Sequence, residues 1–114
     1  MTQAILNDDL YLSMLLLVAY GLEVGAHLDA DLDYLLRELR ESSSEALLHV
    51  AEGLAWQPER ASGSFRTALG GAYRMGAVLD ILRMTGAVSA NEHQRGLARL
   101  KPVIKGLKER AMFP

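Results

Sequence analysis

The chain has 114 residues and a mass of 12.5 kDa, half of the residues hydrophobic, 23% charged and none of them cysteine. That length supports one domain with a core of its own, and the lack of cysteine excludes a disulfide framework, thiolate metal sites and a cysteine nucleophile. The formal charge of −2 hides a division: residues 1–59 carry 2 basic and 11 acidic side chains, residues 60–114 carry 10 and 3, an asymmetry that points to partners rather than to a reaction.

Apolar residues recur with a helical period nearly throughout, and four helices are expected. The first runs from Gln3 or Asn7 to Gly25, with Leu10, Met14, Leu17 and Gly21 on one face. Leu12, Leu15, Leu16, Val18 and Ala19 extend its apolar character around most of the circumference, which calls for burial on more than one side. Its uncharged stretch, Leu10 to Leu22, is 13 residues long, short of the roughly 20 that span a bilayer. Asp8 and Asp9 precede it where a signal peptide would be basic, so a cytoplasmic location without a membrane is expected.

Gly25 stops this helix, and Asp29 or Asp31 is the expected N-cap of the second. Leu32, Leu35, Leu36, Leu39, Ala46, Leu47, Val50 and Leu54 carry the second helix as far as Trp56. A bend is expected at Ser42-Ser43-Ser44, because serine competes for backbone hydrogen bonds. Pro58 ends the helix at Gln57. The third helix starts between Pro58 and Ser62 and ends at Thr85-Gly86. Phe65, Leu69, Ala72, Gly76 and Leu79 form its seam, and Ala68, Gly70, Gly71, Ala72, Gly76 and Ala77 mark close approach to a neighbour. The fourth opens on the capping box Ser89-x-x-Glu92. Leu97, Leu100, Ile104, Leu107 and Ala111 follow as its seam, with a kink expected at Pro102. One domain spanning residues 1–114 follows, all-α, an up-down-up-down antiparallel four-helix bundle.

Catalytic patterns are lacking. Glu45, His49 and Glu52 share a helical face, but the order is reversed from the Glu-x-x-His of two-metal bundles and no second copy exists. His27 and His93 have no ligand spacing. Ser62-Gly63-Ser64 has no nucleophile-elbow glycines, and Gly70 to Gly76 has no Gly-Lys-Ser/Thr ending. No metal, cofactor, small-molecule substrate or catalytic residue is therefore expected, and no enzymatic activity.

Ten basic residues lie on the last two helices, among them Arg60, Arg66 and Arg83. Arg74, Arg95, Arg99, Lys101, Lys105 and Lys108 are the candidate nucleic-acid-binding set, because a basic face that neutralises several phosphates binds RNA or DNA. Tyr73 and Trp56 could stack on bases, or belong to core or rim. A second reading stays open: acidic and basic halves also suit a head-to-tail homo-oligomer, in which one subunit's first half meets the next subunit's second.

Several segments resemble a known family. Leu39-Arg40, then His49-Val50-Ala51-Glu52-Gly53, then Phe65 and Ala68-Leu69-Gly70-Gly71, then Thr85-Gly86-Ala87-Val88-Ser89 with Glu92 resemble the motifs of the small bacterial four helix bundle proteins named for intervening sequences in the large ribosomal RNA gene. In that family an arginine follows the Leu-Arg pair, where this chain has Glu41. Pro and Asn stand at the positions of Leu47 and His49, Ser at that of Gly71, and Glu at that of Arg74. The resemblance covers roughly residues 33–111 and implies a bundle protomer in a homopentameric ring with no established enzymatic activity. A related branch, the accessory proteins of diversity-generating retroelements, uses a basic pentameric barrel to bind nucleic acid and a reverse transcriptase.

Overall fold

The acidic start of the first helix is an N-cap. The Asp8 carboxylate accepts hydrogen bonds from the backbone N–H groups of Leu10 (2.9 Å) and Tyr11 (3.3 Å), satisfying donors that the helix leaves unpaired. The structure, a computed structural model, describes residues 7–26, 30–56 and 58–111, and not the side chains of Ala30, Pro58 and Glu59. A helical start before Asn7, His27, an Asp29 cap and Gln57 lie outside those residues.

Helix α1 is Asp9–Gly25. Its end does not use a left-handed glycine: Ala26 follows in right-handed geometry, and Gly25 is small because Leu36 of the next helix occupies the space a side chain would need. A 3₁₀ turn, Ala30–Leu32, leads into α2, Asp33–Ala55. Asp31 falls inside that turn and does not cap α2. Leu32 takes the cap position without a side-chain bond, and Asp33 provides the negative charge favoured at a helix start. Helix α2 continues through the three serines. Ser42 Oγ donates to Glu38 Oε1 (3.1 Å) and Ser43 Oγ to the Arg40 carbonyl (3.1 Å), so both buried hydroxyls are satisfied within the helix that they were expected to interrupt. Trp56, in extended geometry, ends it.

Helix α3, Pro58–Met84, has 27 residues, about 40 Å at 1.5 Å per residue, close to the 43 Å long dimension of the molecule. Its exit is a Schellman turn: Ala87 N–H bonds the Leu82 carbonyl (2.9 Å), Gly86 N–H bonds that of Arg83 (3.1 Å), and Gly86 supplies the φ of +78° the turn requires. Helix α4, Ala90–Ala111, opens with the expected capping box, Glu92 N–H to Ser89 Oγ at 3.1 Å and Ser89 N–H to Glu92 Oε1 at 3.2 Å. It runs on through Pro102, which is exposed. Its buried seam is Gly96, Leu100, Val103, Leu107 and Ala111, while the expected Leu97 and Ile104 are half-buried at its edge.

Each helix packs against its neighbours in the chain, and α1 also packs against α4. The backbones of the diagonal pairs, α1 with α3 and α2 with α4, do not come close together among the described residues. One hydrophobic cluster draws on all four helices, with Met14, Leu17, Leu39, Val50, Met75, Leu79, Leu82, Val103 and Leu107 fully buried. Among the described residues no helix is long and apolar enough to cross a membrane.

Of the expected close-approach residues in α3, Gly71 does what was proposed for it. A Cβ there would lie 3.2 Å from both the Ala46 Cβ and the Ser42 carbonyl oxygen of α2. Gly70 has open space instead.

Candidate nucleic-acid interface

At 100° per residue, the residues of α4 that reach α1 and those that reach α3 lie on opposite sides of its buried seam. Towards α1 stand Arg95 and Arg110. Arg95 lies 3.4 Å from Glu23 and over the Tyr20 ring. Arg110 pairs with Asp8 at 3.2 Å and lies over the Phe65 ring. Towards α3, Lys108 places its ammonium 6.0 Å from the centre of the Tyr73 ring, and His93 meets Asp80 at 2.9 Å. Lys101 and Lys105 turn outward between these edges.

The six candidate side chains therefore do not form one patch. Arg74 lies across the α2–α3 seam, where its Nε donates to Glu38 Oε1 at 2.7 Å and an Nη reaches the same oxygen. Hydrogen bonds from Arg74 and Ser42 hold the Glu38 carboxyl below its ordinary pKa, so near neutral pH this pair is internally balanced. Arg95 is likewise turned to an acidic partner. Arg99, Lys101, Lys105 and Lys108 remain: all four are exposed, all are on α4, and none forms an ion pair among the described residues. The pairing of Arg74 and Arg95 joins residues 36 and 72 positions apart, and nothing local in the sequence signals it.

Tyr73 belongs with this set. It is 49% exposed, which removes it from the core. Arg66, seven residues earlier and exposed, lies on the same face of α3. The other aromatic candidate, Trp56, is covered by the Arg60 guanidinium at 4.8 Å. It borders a cleft of about 290 Å³ between Gly53, Leu54, Ala61, Phe65 and Arg110 at one end of the bundle. That cleft is mostly apolar, and its arginine is already paired with Asp8.

The segments that carry the family resemblance meet across α2 and α3. A Cβ on Gly53 would fall 2.6 Å from the Phe65 ring, so the glycine of one motif makes room for the aromatic of the next. Leu39 and Ala68 are buried, Ala51 is half-buried, and Arg40 and Gly70 are exposed. Glu52 faces His49 Nδ1 at 3.4 Å. Among the described residues no three His, Cys, Asp or Glu side chains group closely enough to hold a metal ion. A comparison with family models, with curated proteins and with solved structures finds no match to the chain.

Proposed function

We propose that the chain is a non-enzymatic, cytoplasmic four-helix-bundle protein that assembles with copies of itself and binds nucleic acid through α4. The observation that carries the reading is the division among the basic residues. Arg74, Arg95 and Arg110 are engaged by Glu38, Glu23 and Asp8, whereas Arg99, Lys101, Lys105 and Lys108 of α4 are exposed without an ion pair among the described residues, the three lysines on its outer and α3-facing side and Arg99 on the side towards α1. Three lysines on one side of a rigid rod within about 11 Å (seven residues at 1.5 Å each) make a surface suited to a phosphate backbone.

An up-down-up-down order is supported by which ends meet. Gly25 at the end of α1 packs on Leu36 early in α2, Gly53 late in α2 packs on Phe65 early in α3, and Asp8 before α1 pairs with Arg110 at the end of α4. Self-assembly is supported by α1, whose outer face exposes Leu12 (43%), Leu15 (39%), Leu16 (50%) and Leu22 (54%), an unusual apolar stripe for a chain that works alone. The resemblance to the intervening-sequence family implies a ring of five for such an assembly. Against this stands a purely structural oligomer, supported by the exposed acids Asp9, Asp31, Glu41 and Glu45, which form no ion pair among the described residues and could meet α4 of another subunit.

Filter binding of RNA and DNA across a salt series tests the proposal. Binding at about 50 mM salt should weaken as salt rises, with a slope of log affinity on log salt near −2 to −3 for three neutralised phosphates. No retention at that salt, or a slope near zero, overturns it.

A further inference from the structure

The exposed ring of Tyr73 lies on α3 beside the lysines of α4. On α3, Tyr73 and Arg66 are seven residues apart, and on α4 so are Lys108 and Lys101, so each pair lies on one helical face. Lys108 meets Tyr73 directly, and α3 and α4 pack together along this stretch, with Gly76 against Leu100. The four residues, with Lys105, therefore border the outer groove between α3 and α4. It holds four cations, one aromatic ring between them and, seven residues beyond the ring, Asp80, which is engaged by His93 of α4.

The surroundings of the ring are as informative as its exposure. Its helical neighbours three and four residues away are Leu69, Gly70, Gly76 and Ala77, three of them glycine or alanine. Gly70 and Ala77 are exposed, and Gly70 has open space around it. Neighbours at this spacing normally cover an aromatic on a helix surface, and here they leave it clear. Lys108 is the only cation recorded over the Tyr73 ring among the described residues, and its 6.0 Å separation is at the outer limit of a cation–π contact.

We infer that Tyr73 is a stacking platform for an unpaired base and that the α3–α4 groove takes single-stranded nucleic acid in preference to duplex. The inference rests on the nucleic-acid reading above and deepens it. A tyrosine fixed on a rigid helix and flanked by cations can engage the face of a splayed base while phosphates run along the lysines. Bases in a duplex are already stacked on both faces, so a duplex would be offered only the charges.

The test is fluorescence anisotropy at about 50 mM salt, with an oligouridylate of about 16 nucleotides and the duplex of the same length. Wild type should bind the single strand more tightly. Tyr73→Ala should weaken single-strand binding roughly tenfold or more without changing its salt slope, Tyr73→Phe should keep most of the affinity, and neither should alter duplex binding. Lys101→Gln with Lys105→Gln should instead reduce the salt slope for both. Wild-type affinity in Tyr73→Ala, or a duplex bound as tightly as the single strand, overturns the stacking role while leaving nucleic-acid binding in place. Binding of neither probe by wild type overturns both. Circular dichroism of Tyr73→Ala checks that loss of affinity is not loss of fold.

Discussion

Helices α1 and α4 lie side by side, give the core the same kind of apolar seam, and turn opposite chemistry outward. The outward face of α1 is Leu12, Leu15, Leu16, Ala19 and Leu22, while that of α4 is Lys101, Lys105 and the basic residues on its edges. Ion pairs between the two helices sharpen the contrast. Asp8 and Glu23, at the ends of α1, are met by Arg110 and Arg95 from α4, which leaves the outer side of α1 nearly uncharged and that of α4 positive. Such exposed pairs add only about 0–1 kcal/mol each, so their main effect is on what each face offers a partner. The fold constrains the inner seams. The outer faces are free of that constraint, and they differ in the chemistry they turn to the surroundings.

The largest expected effects test whether α1 is the protein-facing side. Leu17→Ala, on its inner face, should cost about 2–5 kcal/mol in urea unfolding, because a fully buried leucine leaves a cavity. Leu16→Glu, one residue away on the outer face, should change the stability of the single chain by no more than about 0.5 kcal/mol. It should nevertheless reduce the mass in light scattering to one 12.5 kDa chain. Lys105→Glu with Lys108→Glu should leave the mass unchanged. If the lysine pair dissociates the assembly and Leu16→Glu does not, the roles of the two faces are reversed, and charge pairing between subunits is what holds the oligomer.

The inner half of this contrast was legible in the sequence and the outer half only in part. The Ser89–Glu92 capping box, the Gly86 turn and the buried seam of α1 depend on residues within a few positions of one another, so spacing alone specifies them. The three serines misled because Ser42 and Ser43 can satisfy their hydroxyls inside the helix, and their small size lets α3 approach at Gly71. Asp31 misled because a 3₁₀ turn displaced the cap by one residue. That Arg74 and Arg95 are paired with Glu38 and Glu23 is not legible in the sequence because those partners are tertiary. Nor does helical spacing distinguish a packing glycine from an exposed one: Gly70 and Gly71 are adjacent, yet one faces solvent and the other faces the backbone of α2.

An intermediate effect tests whether α1 and α4 are locked together along their seam. A Cβ on Gly96 would lie 2.8 Å from the Tyr20 ring, and that ring is held in place because its hydroxyl donates to the Glu92 carbonyl. Gly96→Ala should therefore destabilise by about 1–3 kcal/mol, despite alanine's better helix propensity. Gly70→Ala, with room for the methyl group, should stabilise by about 0.5–1 kcal/mol. Effects of opposite sign at the two glycines in urea titration would confirm the lock, whereas stabilisation by both would mean that the two helices can slide apart.

The smallest effect concerns the same seam and is read from pH. Burial against α4 raises the Tyr20 pKa above its usual 10.0, and the Glu92 carboxylate raises it further, while the nearby Arg95 lowers it by less. The folded state thus holds the phenolic proton more tightly than the unfolded chain. The corresponding stability is fully present below about pH 10 and is lost as pH rises from there through the elevated folded value. Tyr20→Phe should cost about 0.5–1.5 kcal/mol near neutral pH, from the lost hydrogen bond to Glu92, but should decline less steeply than wild type above pH 10. The other tyrosines and the lysines are common to both proteins, so the difference between their curves isolates Tyr20. Parallel curves through that window would mean that Tyr20 ionises as freely in the folded chain as in the unfolded one, and that the seam between the apolar and the basic helix is open to water.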